Sequence, residues 1–523
     1  MDQARQGSAG LNPPDAPPPL HGEYHASRLK GAVSHFLMGR TVSALANFLA
    51  AILVVRALAP SAYAVYLLLT GMALILGSAS SLGLGETVQR FVPELYIRGM
   101  RGAAGRVMLR LLWLRTASLG AACLGFYAAA PTLSSQLELA EWAWAFRLAC
   151  LMLLSIPLCT FLGVILESIM LQRQVKWIWV AVSLLRLVGI VAASRSGLEL
   201  DSLLVIDAAA HGLGAVLAAF CLLRCTDRAT PRDPAVDSGG LRRRMASFAF
   251  FNYLMALAGL FQSNAMNRVV AARFMPGYAL AELCFAQAMA DMVYRYMPQI
   301  LLMNTVRPAI MARYAGDRDS AALNRQVNVF LKINLFLLAP LVLLATLCGD
   351  GIGAWISQGK YPHAGPLLAG FTILVAMQCH YRKLEMQAQA AERNTLLLAA
   401  NLIVVFSLVP AALLAGRFGA WGILLAVMAG CIGRDLLLGW RLFRSGMPAS
   451  PDWGGLFRLV AGAGGAWLIL HPFSPPTPSP LAVLTLSLAG SLLFLGLSML
   501  TQPFSRNERD LFNHILGRRI FPW

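Results

Sequence analysis

The apolar residues of this chain gather into blocks of about 20, the helix length that crosses ~30 Å of hydrocarbon. That grouping constrains the fold more than any other feature. Fourteen intervals carry it: 34–56, 62–84, 107–130, 143–168, 177–195, 202–223, 246–270, 279–304, 327–349, 366–387, 394–415, 419–440, 455–471 and 480–500. A soluble chain carries about 25% charged residues, whereas this one has 13% in 523 residues and a mean hydropathy of +0.63. The expected fold class is all-α integral membrane, with about 14 transmembrane helices.

Loop charge gives an orientation. With the N-terminus cytoplasmic, 31 of the 43 Lys+Arg fall in inside segments. Five fall outside: Arg56, Arg195, Arg273, Lys360 and Arg417. The positive-inside rule then predicts cytoplasmic N- and C-termini and a multi-pass inner-membrane protein. The same rule accounts for the net charge of +18 without a nucleic-acid partner, since no basic stripe with interleaved aromatics lies outside the blocks. Outside loops are short and leave no room for an extracellular catalytic domain. The first apolar block is too long for a signal-peptide core and reads as an uncleaved span. All nine cysteines lie in or beside apolar blocks, without CxxC or Cys/His metal spacing, and read as packing residues. No metal, cofactor or Walker motif is expected.

An internal repeat divides the chain. Val54-Val55-Arg56-Ala57-Leu58-Ala59-Pro60-Ser61-Ala62-Tyr63 closes the first interval, and Val269-Val270-Ala271-Ala272-Arg273-Phe274-Met275-Pro276-Gly277-Tyr278 closes the seventh. A second proline follows each after one span, at Pro93 and Pro308. Two six-helix bundles in parallel repeat fit this spacing, a common transporter plan with the substrate between the halves. The expected divisions are a disordered cytoplasmic tail (1–33), an N-terminal bundle (34–226), a cytoplasmic linker (227–244), a C-terminal bundle (245–445), two extra helices (450–500) and a cytoplasmic tail (501–523).

Ionisable groups within spans are costly and need a partner or a watery cavity. In the eighth interval Gln287, Asp291, Arg295 and Gln299 recur every four residues and share one helix face. Such a stripe faces a cavity, or Asp291 and Arg295 neutralise each other one turn apart. The seventh interval offers Asn264, Asn267 and Arg268, and the first offers Arg40 and Asn47 as cavity liners. Arg186, Asp207 and His211 read as a structural ion pair or a coupling site. Arg115 and Arg147 read as snorkelling side chains, and Arg434 with Asp435 as structural.

The order Arg56-Ala57-Leu58-Ala59-Pro60, Leu82-Gly83-Leu84-Gly85 and Arg90-Phe91-Val92-Pro93-Glu94 resembles the polysaccharide-transport branch of the multidrug/oligosaccharidyl-lipid/polysaccharide exporter superfamily, the Wzx-type flippases. Gly359-Lys360-Tyr361-Pro362-His363-Ala364, Asn401 with Pro410, and Phe418-Gly419-Ala420-Trp421-Gly422 extend the likeness over roughly 34–500. The resemblance implies two six-helix bundles in a V around a central cavity. It also implies flipping of undecaprenyl-pyrophosphate-linked oligosaccharide from the cytoplasmic to the periplasmic leaflet. Membrane lipids, polysaccharide polymerase and chain-length proteins would be its partners. Two positions depart from the family pattern: Ala62 stands where Gly is usual, and Asn267-Arg268 where an acid precedes the arginine. On this reading Arg268 and Arg295 supply forked, permanently charged donors for pyrophosphate. Asn264, Asn267, Gln287, Asp291, Arg40 and Asn47 complete the cavity. An excess of cations over acids would separate such a site from that of a multidrug exporter, the alternative. No catalytic constellation occurs, so no enzyme activity is expected.

Overall fold

The structure, a computed structural model, describes residues 26–97, 100–226, 238–261, 263–300, 314, 318–391, 393–448, 450–474 and 479–510; of Arg40 it describes the backbone alone. The described residues form helices and connecting turns, with no strand. The N-terminal helices are α1 (Ala26–Ala57), α2 (Pro60–Ala79), α3 (Leu84–Ile97), α4 (Arg101–Gln136), α5 (Ala143–Ser168), α6 (Gln172–Ser194) and α7 (Leu200–Thr226). The C-terminal ones are α8 (Ser238–Leu260), α9 (Asn264–Phe274), α10 (Gly277–Arg295), α11 (Ser320–Ser357), α12 (Gly365–Ala390), α13 (Asn394–Phe406) and α14 (Leu408–Arg444), followed by α15 (Trp453–Leu470) and α16 (Pro480–Thr501).

Among the described residues nine helical runs are long and apolar enough to cross a membrane, and the pair α8–α9 makes a tenth if counted as one bent span. The fourteen intervals outnumber these runs for identifiable reasons. The seventh interval is broken, with α8 and α9 meeting at a 46° bend. The eighth loses its helix at Tyr296, past the end of α10. The eleventh and twelfth lie in one helical run, Thr395–Arg444, but the break expected between them is there: Gly419 takes a non-helical φ of 55° and divides the run in two. Two expected boundaries also move: α1 begins inside the expected tail and α8 inside the expected linker. The expected loop after α2 instead holds the amphipathic helix α3, which buries Leu84, Val88, Phe91, Val92 and Leu95 and exposes Glu86 and Arg90.

Prolines and caps explain the helix ends. Pro60 starts α2 at a position that needs no N–H. Asp319, Asp452 and Ser479 each accept a backbone N–H at the start of α11, α15 and α16.

Packing follows the repeat. In the first half α5 packs on α2, α4 and α7, and α6 on α7; in the second α12 packs on α10, α11 and α14, and α13 on α14. The halves meet where α2 packs on α9 and α10, α1 on α11, and α3 on α8. The α2–α9 approach is close: a Cβ on Gly71 would lie 3.3 Å from the Cα of Ala265. The α15–α16 pair lies against α11.

Candidate functional site

A cavity of about 1100 Å³ opens between the halves, lined by α1, α2, α3, α5, α6 and α7 on one side and α8, α9, α10, α12 and α13 on the other. Of the sequence-selected residues, Asn47, Arg186, Asp207, His211, Asn264, Arg268, Asp291 and Arg295 line it. Asn267 and Gln287 do not, being 2% and 0% exposed and packed behind the wall. The side chain of Arg40 lies outside the described residues.

The α9–α10 wall is organised around Arg268. Its Nη2 donates to Asp291 Oδ2 at 3.1 Å, its Nε to Gln287 Oε1 at 3.1 Å, and its Nη1 to the carbonyl of Leu67 at 3.5 Å. Asn264 Nδ2 donates to the other carboxylate oxygen, Asp291 Oδ1, at 2.6 Å. Arg268 lacks an acid within one turn of its own helix, but the neighbouring helix supplies one. The same contact decides between the two readings of α10: Asp291 pairs with Arg268, not with Arg295. Gln299 is not part of the stripe, because α10 ends at Arg295 and Gln299 instead donates its backbone N–H to Asn334 Oδ1 at 3.1 Å. Arg295 is exposed on the cavity wall, with no ion-pair or hydrogen-bond partner among the described residues.

On the opposite wall three helices share one network. Arg186 Nε donates to Asp207 Oδ1 at 2.5 Å, Tyr66 Oη donates to Asp207 Oδ2 at 2.6 Å, and Arg186 Nη2 donates to Tyr66 Oη at 2.8 Å. His211 Nδ1 lies 2.8 Å from the carbonyl of Asp207. A carbonyl only accepts, so Nδ1 is the donor in this contact. Asn47 Nδ2 donates to Ser183 Oγ at 3.1 Å, joining α1 to α6. Tyr66 entered this network unseen in the sequence, because its partners lie on other helices.

A third charged group was also missed. Arg382 on α12 pairs with Glu385 at 2.6 Å and donates to Tyr294 Oη at 3.3 Å. The expected excess of cations is not present among the described lining residues: four arginines (186, 268, 295, 382) face four carboxylates (86, 207, 291, 385). Three of each are paired, and Glu86 lies within electrostatic reach of Arg115. Arg295 alone among these charges lacks an opposite neighbour among the described residues.

Two arginines outside the cavity take definite roles. Arg115 does not snorkel. It is 5% exposed and donates to the carbonyl of Gly77 at 2.7 Å and to Ser80 Oγ at 3.2 Å, capping the end of α2. Arg434 is fully buried over the Tyr381 ring, 3.6 Å from its centroid, and bonds Asp435, which also holds His380.

No family model and no curated protein sequence matches the chain. Solved structures do. A lipid II flippase MurJ in an inward closed conformation aligns with 93% of this chain and 99% of its own at a TM-score of 0.67 and 14% identity. An inward-facing multidrug resistance transporter of the MATE family covers 77% and 94%, at a TM-score of 0.63 and 14% identity. A transporter of the same superfamily from Pyrococcus furiosus, titled for the reverse polarity of its binding pocket, covers 78% and 94%, at 0.53 and 17%. The chain is a multi-pass membrane protein with the fold of the MOP-superfamily transporters.

Proposed function

We propose that the protein flips an undecaprenyl-pyrophosphate-linked oligosaccharide from the cytoplasmic to the periplasmic leaflet of the bacterial inner membrane, for cell-surface polysaccharide synthesis. The observation that carries the proposal is the cavity between the two repeats, in which Arg295 is, among the described residues, the lining charge without an opposite neighbour. Three of the four lining carboxylates are committed to arginines, so the wall offers an anion an exposed guanidinium and offers a cation little. The amides of Asn47, Asn252, Gln378 and Asn401 and the hydroxyls of Thr70 and Ser183 supply partners for sugar hydroxyls. A volume of about 1100 Å³ lies above the ~300–1000 Å³ usual for small-ligand pockets and suits a glycan headgroup. The fold shared with a lipid II flippase fits the same class of cargo, and the membrane lipids, polymerase and chain-length proteins would be its neighbours at work. The MATE likeness keeps export of an amphipathic solute as the second reading.

The test is complementation of a strain that lacks its glycan flippase, scored with protein abundance. Surface glycan should return with the native chain and fail with Arg295→Ala at normal abundance, with partial return for Arg295→Lys, which keeps charge but loses the fork. Full export by Arg295→Ala at normal abundance overturns the assignment of that residue.

A further inference from the structure

Each half ends its first span, α1 in one and the bent α8–α9 pair in the other, with an arginine that crosses to the other half. Arg56, at the end of α1, donates from Nε to the carbonyl of Ile356 and from Nη2 to that of Trp355, both at 3.1 Å, in the last turn of α11. Lys360, just past α11, reaches back the other way. Its Nζ lies 3.1, 2.6 and 2.6 Å from the carbonyls of Val55, Arg56 and Leu58 at the end of α1. A helix C-terminus leaves its last carbonyls unmatched and carries partial negative charge, so each helix end is capped by a cation from the opposite repeat.

The repeat makes the same crossing a second time. Arg273, one residue before the end of α9 as Arg56 is before the end of α1, bonds Glu138 Oε1 at 2.7 Å, just beyond the end of α4. In the repeat α4 corresponds to α11. The two crossings differ in environment. Arg273 and Glu138 have side chains 52% and 74% exposed, a geometry that contributes little. The Lys360 loop is held from beneath: Tyr278 Oη donates to the carbonyl of Lys360 at 2.8 Å, and the fully buried Tyr361 ring meets Tyr63, Tyr278 and Phe285 at centroid distances of 6.1, 6.3 and 5.1 Å. Tyr63 and Val54 line the cavity directly below.

We infer that these two crossings form a latch that closes the cavity at the end where α1 and α11 terminate, with the Arg56/Lys360 crossing carrying the closure and Arg273–Glu138 contributing little. The inference rests on the transporter reading, in which that end must open to release cargo. On the topology predicted by loop charge it faces the periplasm.

Thiol accessibility tests it without any substrate, so failure of the flippase assay leaves the result readable. Thr70, on the cavity wall, is replaced by Cys in a chain whose native cysteines are Ala, and intact cells are treated with a membrane-impermeant maleimide. The latch predicts slow labelling in that background. Lys360→Ala and Arg56→Ala should each raise the rate about tenfold or more, Lys360→Arg should leave it low, and Glu138→Ala should change it less than about twofold. A second reporter, Ala411→Cys, is buried away from the cavity and should stay unlabelled, separating opening from unfolding. If Lys360→Ala does not accumulate, Lys360→Gln, which keeps a donor and removes the charge, is read in its place with the same expected rise. Unchanged labelling in the Arg56 and Lys360 variants with Ala411→Cys protected overturns the latch, as does Glu138→Ala opening the cavity equally.

Discussion

Arg268 of α9 and Asp291 of α10 neutralise each other, Nη2 to Oδ2 at 3.1 Å, with Arg268 almost wholly buried. Removing one partner of a buried pair leaves an uncompensated charge and costs about 3–5 kcal/mol, whereas replacing both with apolar groups is often neutral. Asp291→Ala should therefore lower the melting temperature and yield of the purified protein sharply. The double variant Arg268→Met/Asp291→Leu should recover most of both. Equal loss in the single and double variants would show that the pair does not act as a unit.

Tyr66 holds Asp207 and receives Arg186, so Tyr66→Phe deletes one donor and one acceptor while sparing the ion pair. The expected loss is about 1–3 kcal/mol. Asp207→Ala, which strands Arg186, should cost more. Thermal unfolding in detergent followed by intrinsic fluorescence ranks the two, and the reverse order would contradict the network.

Lys332 is 1% exposed on α11 and holds Asp452 and Glu508 at 2.6 Å each, tying the α15–α16 pair to the bundle. Burial pushes the Asp452 carboxyl up, but the bonds from Lys332 and the Gly455 N–H outweigh it and hold the group below its ordinary value. A depressed carboxylate contributes stability above its unfolded pKa of about 3.9 and loses it as pH falls through the lower folded value. Hydrogen exchange in α15 and α16 should thus be equal at pH 5 and 7 once corrected for intrinsic rate. Lys332→Met, which strands two carboxylates, should speed exchange in those helices at both pH values.

Gly83 sits under α8 at a φ of +67°, where a Cβ would fall 2.0 Å from the carbonyl oxygen of Ala249. Gly83→Ala should displace α8 from α3, removing the Phe91–Phe248 edge contact at 5.7 Å. A cysteine at Asn252, on the cavity wall, should then label faster in inside-out vesicles than in the parent. Unchanged labelling would mean that α8 is held elsewhere.

The membrane class and the parallel repeat were legible because both are local. A block of about 20 apolar residues announces itself, and Pro60 and Pro276 mark equivalent helix starts. The breaks were less so. Residues 261–263 are no stronger a breaker than many that helices tolerate, whereas the junction at Phe418-Gly419-Ala420-Trp421-Gly422 parts the eleventh interval from the twelfth in the sequence, and Gly419 leaves the helical region there. Least legible were the partners. Spacing along one helix shows what shares its face, so Arg268 looked unpaired and Arg295 paired with Asp291, whereas among the described residues Asp291 pairs with Arg268. Arg115 and Arg56 read as end-of-span cations because the carbonyls they cap belong to other helices.

The most direct measurement is leaflet transfer in proteoliposomes. The purified protein is reconstituted with a fluorescent undecaprenyl-pyrophosphate oligosaccharide, and its exposure is read by accessibility to an added glycosidase or quencher. The prediction is transfer without ATP that Arg295→Ala abolishes while circular dichroism and melting temperature stay at the parent's values. Absence of transfer by the folded native chain, together with uptake or release of a cationic dye in the same vesicles, would contradict the flippase reading and favour the multidrug one.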